Sequence, residues 1–167
     1  MLQHLNLQID QDKTKMERIT TMSNEGFQLL KELEGFRAKP YLDGAGVPTI
    51  GYGSTYYKNG TRVTMQDIAI SQYDATKLLE DLLLHYIRVV DCYTRDDIEQ
   101  NEFDALVCFA YNVGDGAFKK STLLKRVNAK AAPEEIKAQF LKWVNVNGKP
   151  NAGLINRRTK EINLYLK

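Results

Sequence analysis

KPYLDGAGVPTIGYGS, residues 39–54, interrupts an otherwise helical pattern. Prolines at 40 and 48 and glycines at 44, 46, 51 and 53 stand among the β-formers Tyr41, Val47, Thr49, Ile50 and Tyr52. That is the composition of a hairpin with a tight turn, and Asn59-Gly60 supplies a second turn. Before the hairpin, Ser23 is placed to cap a helix whose apolar stripe is Phe27, Leu29, Leu30 and Leu33, with Gly35 as its stop. After Thr64 the pattern predicts helices to the end. Thr64 with Asp67, and Ser71 with Asp74, resemble capping boxes with Asp replacing the usual Glu or Gln. A long helix after Ser71 carries Leu78, Leu79, Leu82, Leu83, Tyr86, Val89 and Val90 on its apolar side. Others are expected at about 99–113, from Ser121 to Val127, from Pro133 to Trp143, and at about 153–166. The fold class is therefore α+β with helices dominating: one helix, a small sheet, then five or six helices.

The chain has 167 residues, of which 43% are hydrophobic and 26% charged, the proportions of one ordinary globular domain. The longest apolar run, Ala105 to Tyr111, has seven residues, far short of the roughly 18 needed to span a bilayer. Residues 1–22 carry three bases and three acids and do not form a secretory signal. They show a weak helical pattern (Leu2, Leu5, Leu7, Ile9) and read as an N-terminal extension, a mobile helix, ahead of one domain over residues 23–167. Cys108 reads as a small buried hydrophobe. Cys92 has no CxxC partner and no neighbouring His, so neither a metal nor a thiol-redox site is indicated. His4 and His85 read as structural or surface residues.

A net charge of +2 hides an uneven distribution. Residues 23–116 sum to −7 and residues 117–167 to +9, so one face can attract a polyanion. No zinc finger, basic zipper or ribonucleoprotein signature is present, and no nucleic-acid partner is expected.

Among the acids, Glu32, Glu80, Glu99 and Glu102 lie in helical segments and are expected to face water. Glu34 is placed differently, directly before the helix-ending Gly35 and against Leu33 and Phe36. Apolar walls disfavour the charged form of a carboxyl, which is what a general acid working near neutral pH requires. Asp43 follows in the hairpin, where Asp is also an ordinary turn residue, and Thr49 opens the returning strand. Two carboxyls in unlike environments are the equipment for breaking a glycosidic bond. One protonates the leaving oxygen; the other stabilises or attacks the oxocarbenium ion, or activates water.

The segment ELEGFRAKPYLDGAGVPTIGYGS, residues 32–54, resembles the catalytic segment of the phage-type lysozymes, glycoside hydrolase family 24. That family's Glu, eight residues, Asp, five residues, Thr falls on Glu34, Asp43 and Thr49. FDALVCFAYNVGDGAFKKSTLL, residues 103–124, is similar to its central helix and Asn-Val-Gly turn. FLKWVNVNGKPNAGLINRRTKEINLYL, residues 140–166, is similar to its Trp-Val segment and Gly-Leu-x-x-Arg-Arg helix. The resemblance implies a two-lobe lysozyme-like fold, with a cleft between a β-lobe at about 38–62 and a helical lobe. It implies an endolysin, a muramidase hydrolysing the β-1,4 bond between N-acetylmuramic acid and N-acetylglucosamine of bacterial peptidoglycan. Glu34 is then the general acid, with Asp43 the second carboxylate and Thr49 beside it. Thr55, Tyr111 and Ser121 align with cleft-lining positions, although Tyr111 also reads as core and Ser121 as a helix cap. Either Arg157 or Arg158 approaches Glu34, with Arg157 favoured; an opposite charge there competes with burial.

No cofactor or metal is implied, and a monomer is expected. The family commonly has His where this chain has Ser54, which argues against an imidazole in the chemistry. Some relatives carry an apolar N-terminal anchor that residues 1–22 lack. The expected location is therefore the host cytoplasm until a holin opens the way to the wall, with the basic tail drawn to the anionic envelope. The rival readings are a lytic transglycosylase, which cleaves the same bond without water, and a non-catalytic lysozyme-like wall-binding module.

Overall fold

The computed structural model describes residues 18–167. Among the described residues, seven helices and two two-stranded antiparallel sheets follow one another: α1 (Asn24–Glu34), β1 (Arg37–Leu42), β2 (Pro48–Gly51), α2 (Gln72–Tyr93), α3 (Gln100–Val113), α4 (Asp115–Lys120), α5 (Thr122–Asn128), α6 (Pro133–Phe140), β3 (Asn145–Val146), β4 (Lys149–Pro150) and α7 (Ala152–Tyr165). The architecture is α+β and mainly helical. Expectations for the N-terminal extension at residues 1–17, His4 included, lie outside the described residues. Of the remainder, Ile19 and Met22 pack against the core, and Arg18 pairs with Asp91 at 2.9 Å and Asp96 at 2.8 Å.

α3 is the centre. Every residue from Phe103 to Ala110 is buried, as expected of a helix apolar nearly all round. It packs against α7, α2, α1 and α4. Phe109 gathers edge-to-face partners from three directions, with ring centroids 6.4 Å from Phe118, 5.4 Å from Phe140 and 5.5 Å from Trp143.

One polar residue on α3 seats α1. Ser23 caps α1, accepting from the Gly26 N–H at 3.2 Å, and its own backbone N–H donates to Asp104 Oδ1 at 3.0 Å. The Ser23 hydroxyl donates to Asp104 Oδ2, and Gln100 Nε2 adds a bond to Oδ1 at 2.8 Å. Asp104 is buried with these partners, which offset its desolvation. Gly26 makes the approach possible, since a Cβ there would sit 2.6 Å from both Cβ and Cγ of Asp104. In an open helix Gly→Ala gains about 1 kcal/mol of propensity. Here overpacking should reverse the sign, so Gly26→Ala is expected to lose about 2 kcal/mol in chemical denaturation. A stabilised variant would contradict the close approach.

The hairpin pairs Tyr41 with Thr49 and Leu42 with Pro48, and its register is irregular between Arg37 and Tyr41, where Pro40 brings no N–H to the ladder. Ser71 caps α2, accepting from Asp74 N at 3.0 Å.

Three expectations need correction. Thr64 and Asp67 do form local bonds, with Thr64 N donating to Asp67 Oδ2 at 2.9 Å and Thr64 Oγ1 to Oδ1 at 2.6 Å. They close a turn and start no helix, because the Ile70 N–H is taken by Ala38 O at 2.9 Å and draws the chain onto β1. Tyr57 donates to the same Asp67 at 2.8 Å; burial and then this bond push its phenol up to about 12. Second, the chain is not helical to its end. The helix opened by Pro133 stops at Phe140, and a hairpin follows whose turn residues Asn147 and Gly148 both have positive φ, 51° and 75°. Such a turn favours Asn-Gly, so the dipeptide was a readable signal. Third, α4 is an additional short helix between Gly114 and Ser121.

Candidate active site

Glu34 is the last residue of α1. Gly35, at φ 70°, ends the helix and donates its N–H to Lys31 O at 3.0 Å. The Glu34 side chain is 18% exposed, so it faces a surface but is largely walled in. Its Oε1 accepts from Arg157 Nη1 at 2.8 Å, across 123 residues of sequence. The remaining two nitrogens of that guanidinium are engaged as well: Nε donates to Glu161 Oε1 at 3.0 Å and Nη2 to Cys108 O at 3.1 Å. Arg158 points away, to Trp143 O at 3.2 Å, Asn112 Oδ1 and Glu161 Oε2. Arg157 is thus the arginine that meets Glu34.

Glu34 and the hairpin meet at Gly53, whose φ is 92°. A Cβ built there would lie 3.7 Å from Glu34 Oε2 and 4.0 Å from the Tyr111 hydroxyl. The glycine therefore leaves open the space directly in front of the carboxyl. Tyr111 donates to Tyr52 O at 3.4 Å and packs in a tilted arrangement against Tyr86, with ring centroids 5.1 Å apart. Burial first, and then the charge of Glu34, push its phenol far upward, so it keeps its proton and acts as a donor.

Asp43 stands where β1 runs into the hairpin loop. Its Oδ1 accepts the N–H groups of Ala45 and Val47, each at 2.8 Å, an Asx-type closure that fixes the carboxyl plane. Its Oδ2 takes no hydrogen bond among the described residues. Thr49, opposite Tyr41, is buried and donates its hydroxyl to Val47 O at 2.9 Å. The phenol of Tyr41, on β1, is raised by burial, lowered by Arg37, and raised again by the charges of Glu34 and Asp43. Arg37 lies over the Tyr41 ring at 4.3 Å.

Arg157 thus meets Glu34 at the end of α1, Gly53 lies beside both Glu34 and Tyr111, and Asp43 and Thr49 are held on the β1–β2 hairpin. Two predicted residues share no hydrogen bond with these among the described residues. Ser121 is buried and caps α5, accepting from Leu124 N at 3.1 Å. Thr55 is half-buried in the β region, where its carbonyl accepts from Val63 N at 2.9 Å. Glu102 does not face water as expected. It pairs with Arg95 at 2.5 Å and accepts from Glu99 N at 3.1 Å, closing a capping box on α3. Neither Tyr41 nor Glu161 was among the candidate site residues of the sequence reading. Glu161 carried a weak signal, since it lies four residues after Arg157 and three after Arg158, on their helix face.

One hollow of about 500 Å³ is lined by Arg95, Glu102, Pro133 and Tyr165 and includes none of the candidate residues. An extended sugar chain needs an open groove with hydrogen-bonding walls, so enclosed volume does not mark this site. No group of three or more His, Cys, Asp or Glu among the described residues could hold a metal ion.

The family model described as phage lysozyme matches residues 31–161. The endolysin of Bacillus phage B103 is 42% identical over 154 residues, which are 87% of this chain and 54% of that protein. A second Bacillus phage endolysin, from PZA, is 37% identical and is covered to the same 54%, so the chain spans about half the length of these relatives. Among solved structures, the endolysin from Escherichia coli O157:H7 phage FAHEc1 superposes with a TM-score of 0.81 at 34% identity, covering 88% of this chain and 94% of that one.

Proposed function

The chain belongs to the phage lysozyme family, and from that premise we propose that it is an endolysin: a muramidase hydrolysing the β-1,4 bond between N-acetylmuramic acid and N-acetylglucosamine in bacterial peptidoglycan. Glu34 is the general acid. It delivers its proton to the glycosidic oxygen as the C–O bond breaks, and the leaving sugar departs as a neutral alcohol. Positive charge then builds on the anomeric carbon. Asp43, its Oδ1 held by the Ala45 and Val47 N–H groups, stabilises that charge. Thr49 Oγ1, already donating to Val47 O, accepts a hydrogen from the attacking water and helps hold it. Water adds its oxygen to the anomeric carbon and returns a proton to the carboxyl pair.

The observation that carries the reading is the difference between the two acids: one half-enclosed at a helix end beside an open glycine, the other pinned by two backbone N–H groups. Tyr111 hydrogen-bonds to the backbone beside Gly53 and stiffens that edge; Thr55 and Ser121 are further substrate-binding candidates. The reading includes a cleft between a β-lobe at about residues 38–62 and the helices. It also includes a monomeric enzyme released from the host cytoplasm through a holin, with the +9 charge of residues 117–167 drawn to the anionic wall and weakening with salt. Among the described residues no helix is long and apolar enough to cross a membrane.

Mass spectrometry of digested peptidoglycan tests the reaction. Reducing N-acetylmuramic acid ends are expected, carrying the oxygen of the water used. Anhydro ends would overturn hydrolysis in favour of a transglycosylase, and intact glycan would favour a wall-binding module.

A further inference from the structure

Glu161, on the inner face of α7, has no exposed surface and lies between two arginines. Its Oε1 accepts from Arg157 Nε at 3.0 Å, and its Oε2 pairs with Arg158 Nη1. Arg158 is itself fully buried and lies over the Phe109 ring at 4.7 Å; Arg157 is 7% exposed. Four ionisable groups, Glu34, Arg157, Glu161 and Arg158, thus form a continuous chain from the surface into the core.

Charge accounting shows what Glu161 does for its far neighbour. With Glu34 ionised, two positive and two negative charges cancel. With Glu34 protonated, one positive charge remains, shared over two guanidiniums that stay bound to one carboxylate. Without the Glu161 charge those totals rise to one and two, and a second uncompensated charge in a low-dielectric interior strongly disfavours the protonated state.

We propose that Glu161 is a positioning residue for Glu34: it aims the Arg157 guanidinium at that carboxyl and offsets part of the arginine charge that the carboxyl meets. The proposal rests on the reading of Glu34 as general acid. The aiming is geometric. With Nε held by Glu161 and Nη2 by Cys108 O, the guanidinium plane is set from two sides before Nη1 meets Glu34. Asp43 and Asp115 act on the same phenols as Glu34, and both keep their charges in every variant compared below. Burial raises the Tyr41, Tyr86 and Tyr111 phenols and the Cys108 thiol, so all four stay neutral where a carboxyl titrates. Arg37 sits on Tyr41, and Asp104, further along α3, is committed to Ser23 and Gln100.

Opposite signs test the idea. In the full chain, Glu161→Gln removes a negative charge, so Glu34 gives up its proton earlier and the alkaline limb of wall-clearing activity moves down by about one pH unit. Arg158→Gln removes a positive charge, so the limb moves up. Glu161→Gln with Arg158→Gln returns it near the parent. Carboxyl NMR titration of Glu34 in each variant should follow the same order. Both single variants moving the limb in one direction, or lowering the rate evenly at every pH with the limb unmoved, would reduce Glu161 to scaffolding. Should Glu161→Gln fail to fold, Arg158→Gln decides alone: an upward move supports the proposal and an unmoved limb overturns it. Failure of the general-acid reading is separable, since Glu34→Gln would then retain activity whatever the titrations show.

Discussion

Glu34→Gln is expected to lower kcat for wall clearing by roughly 10³-fold, within the 10²–10⁴ range that one general acid or base contributes. The amide has nearly the shape of the carboxyl and can still accept from Arg157 Nη1, so the site is not dismantled. What it lacks is a proton to give the glycosidic oxygen, which must then leave as an alkoxide. The loss should fall on kcat with KM little changed, because the group acts in the transition state. Asp43→Asn should also be slow, for another reason: it keeps the plane set by the Ala45 and Val47 N–H groups but removes the charge that faces the oxocarbenium ion. Initial rates of turbidity loss on purified walls measure both. An unchanged clearing rate in Glu34→Gln would remove that residue from the chemistry, and the proposed mechanism with it.

Phe109→Ala is expected to give the largest loss of stability, about 3–5 kcal/mol. The ring is fully buried, meets Phe118, Phe140 and Trp143, and carries the Arg158 guanidinium on its face. Those partners belong to α4, α6, α7 and the loop after α6, and four separate elements cannot all move inward to fill the space. For a chain of this size the loss corresponds to a fall in Tm of roughly 10–15 °C. Ile68, 84% exposed, is the control, and Ile68→Ala should stay within about 0.5 kcal/mol of the parent. A Phe109→Ala loss below about 1 kcal/mol in thermal or chemical denaturation would mean that the aromatic cluster is not the keystone of the helical body.

How far the sequence could be read depended on how far apart the partners lie. The caps at Ser23, Ser71 and Ser121, the stop at Gly35 and the hairpin around Asp43 were legible because each is settled within about five residues by backbone donors, acceptors and φ preferences. The β3–β4 hairpin passed unread despite its Asn147-Gly148 turn, since strands of two residues are too short to show an alternating pattern. Thr64 and Asp67 carried a correct local signal with the wrong outcome. Their bonds form, but a carbonyl on β1 takes the N–H that a helix would need.

Sequence alone thus determined the caps, the turns and the α+β class, because residue type, turn chemistry and spacing are local properties; Glu34, Asp43 and Thr49 stood out as candidates through the resemblance to the phage-type lysozymes. Tertiary structure alone decided that Arg157 rather than Arg158 meets Glu34, that Glu102 turns inward to Arg95, and that Glu161 lies wholly enclosed between two guanidiniums. The physical reason is that a charge buried in low dielectric is tolerated only where partners from several helices converge. That convergence is set by how α1, α3 and α7 pack.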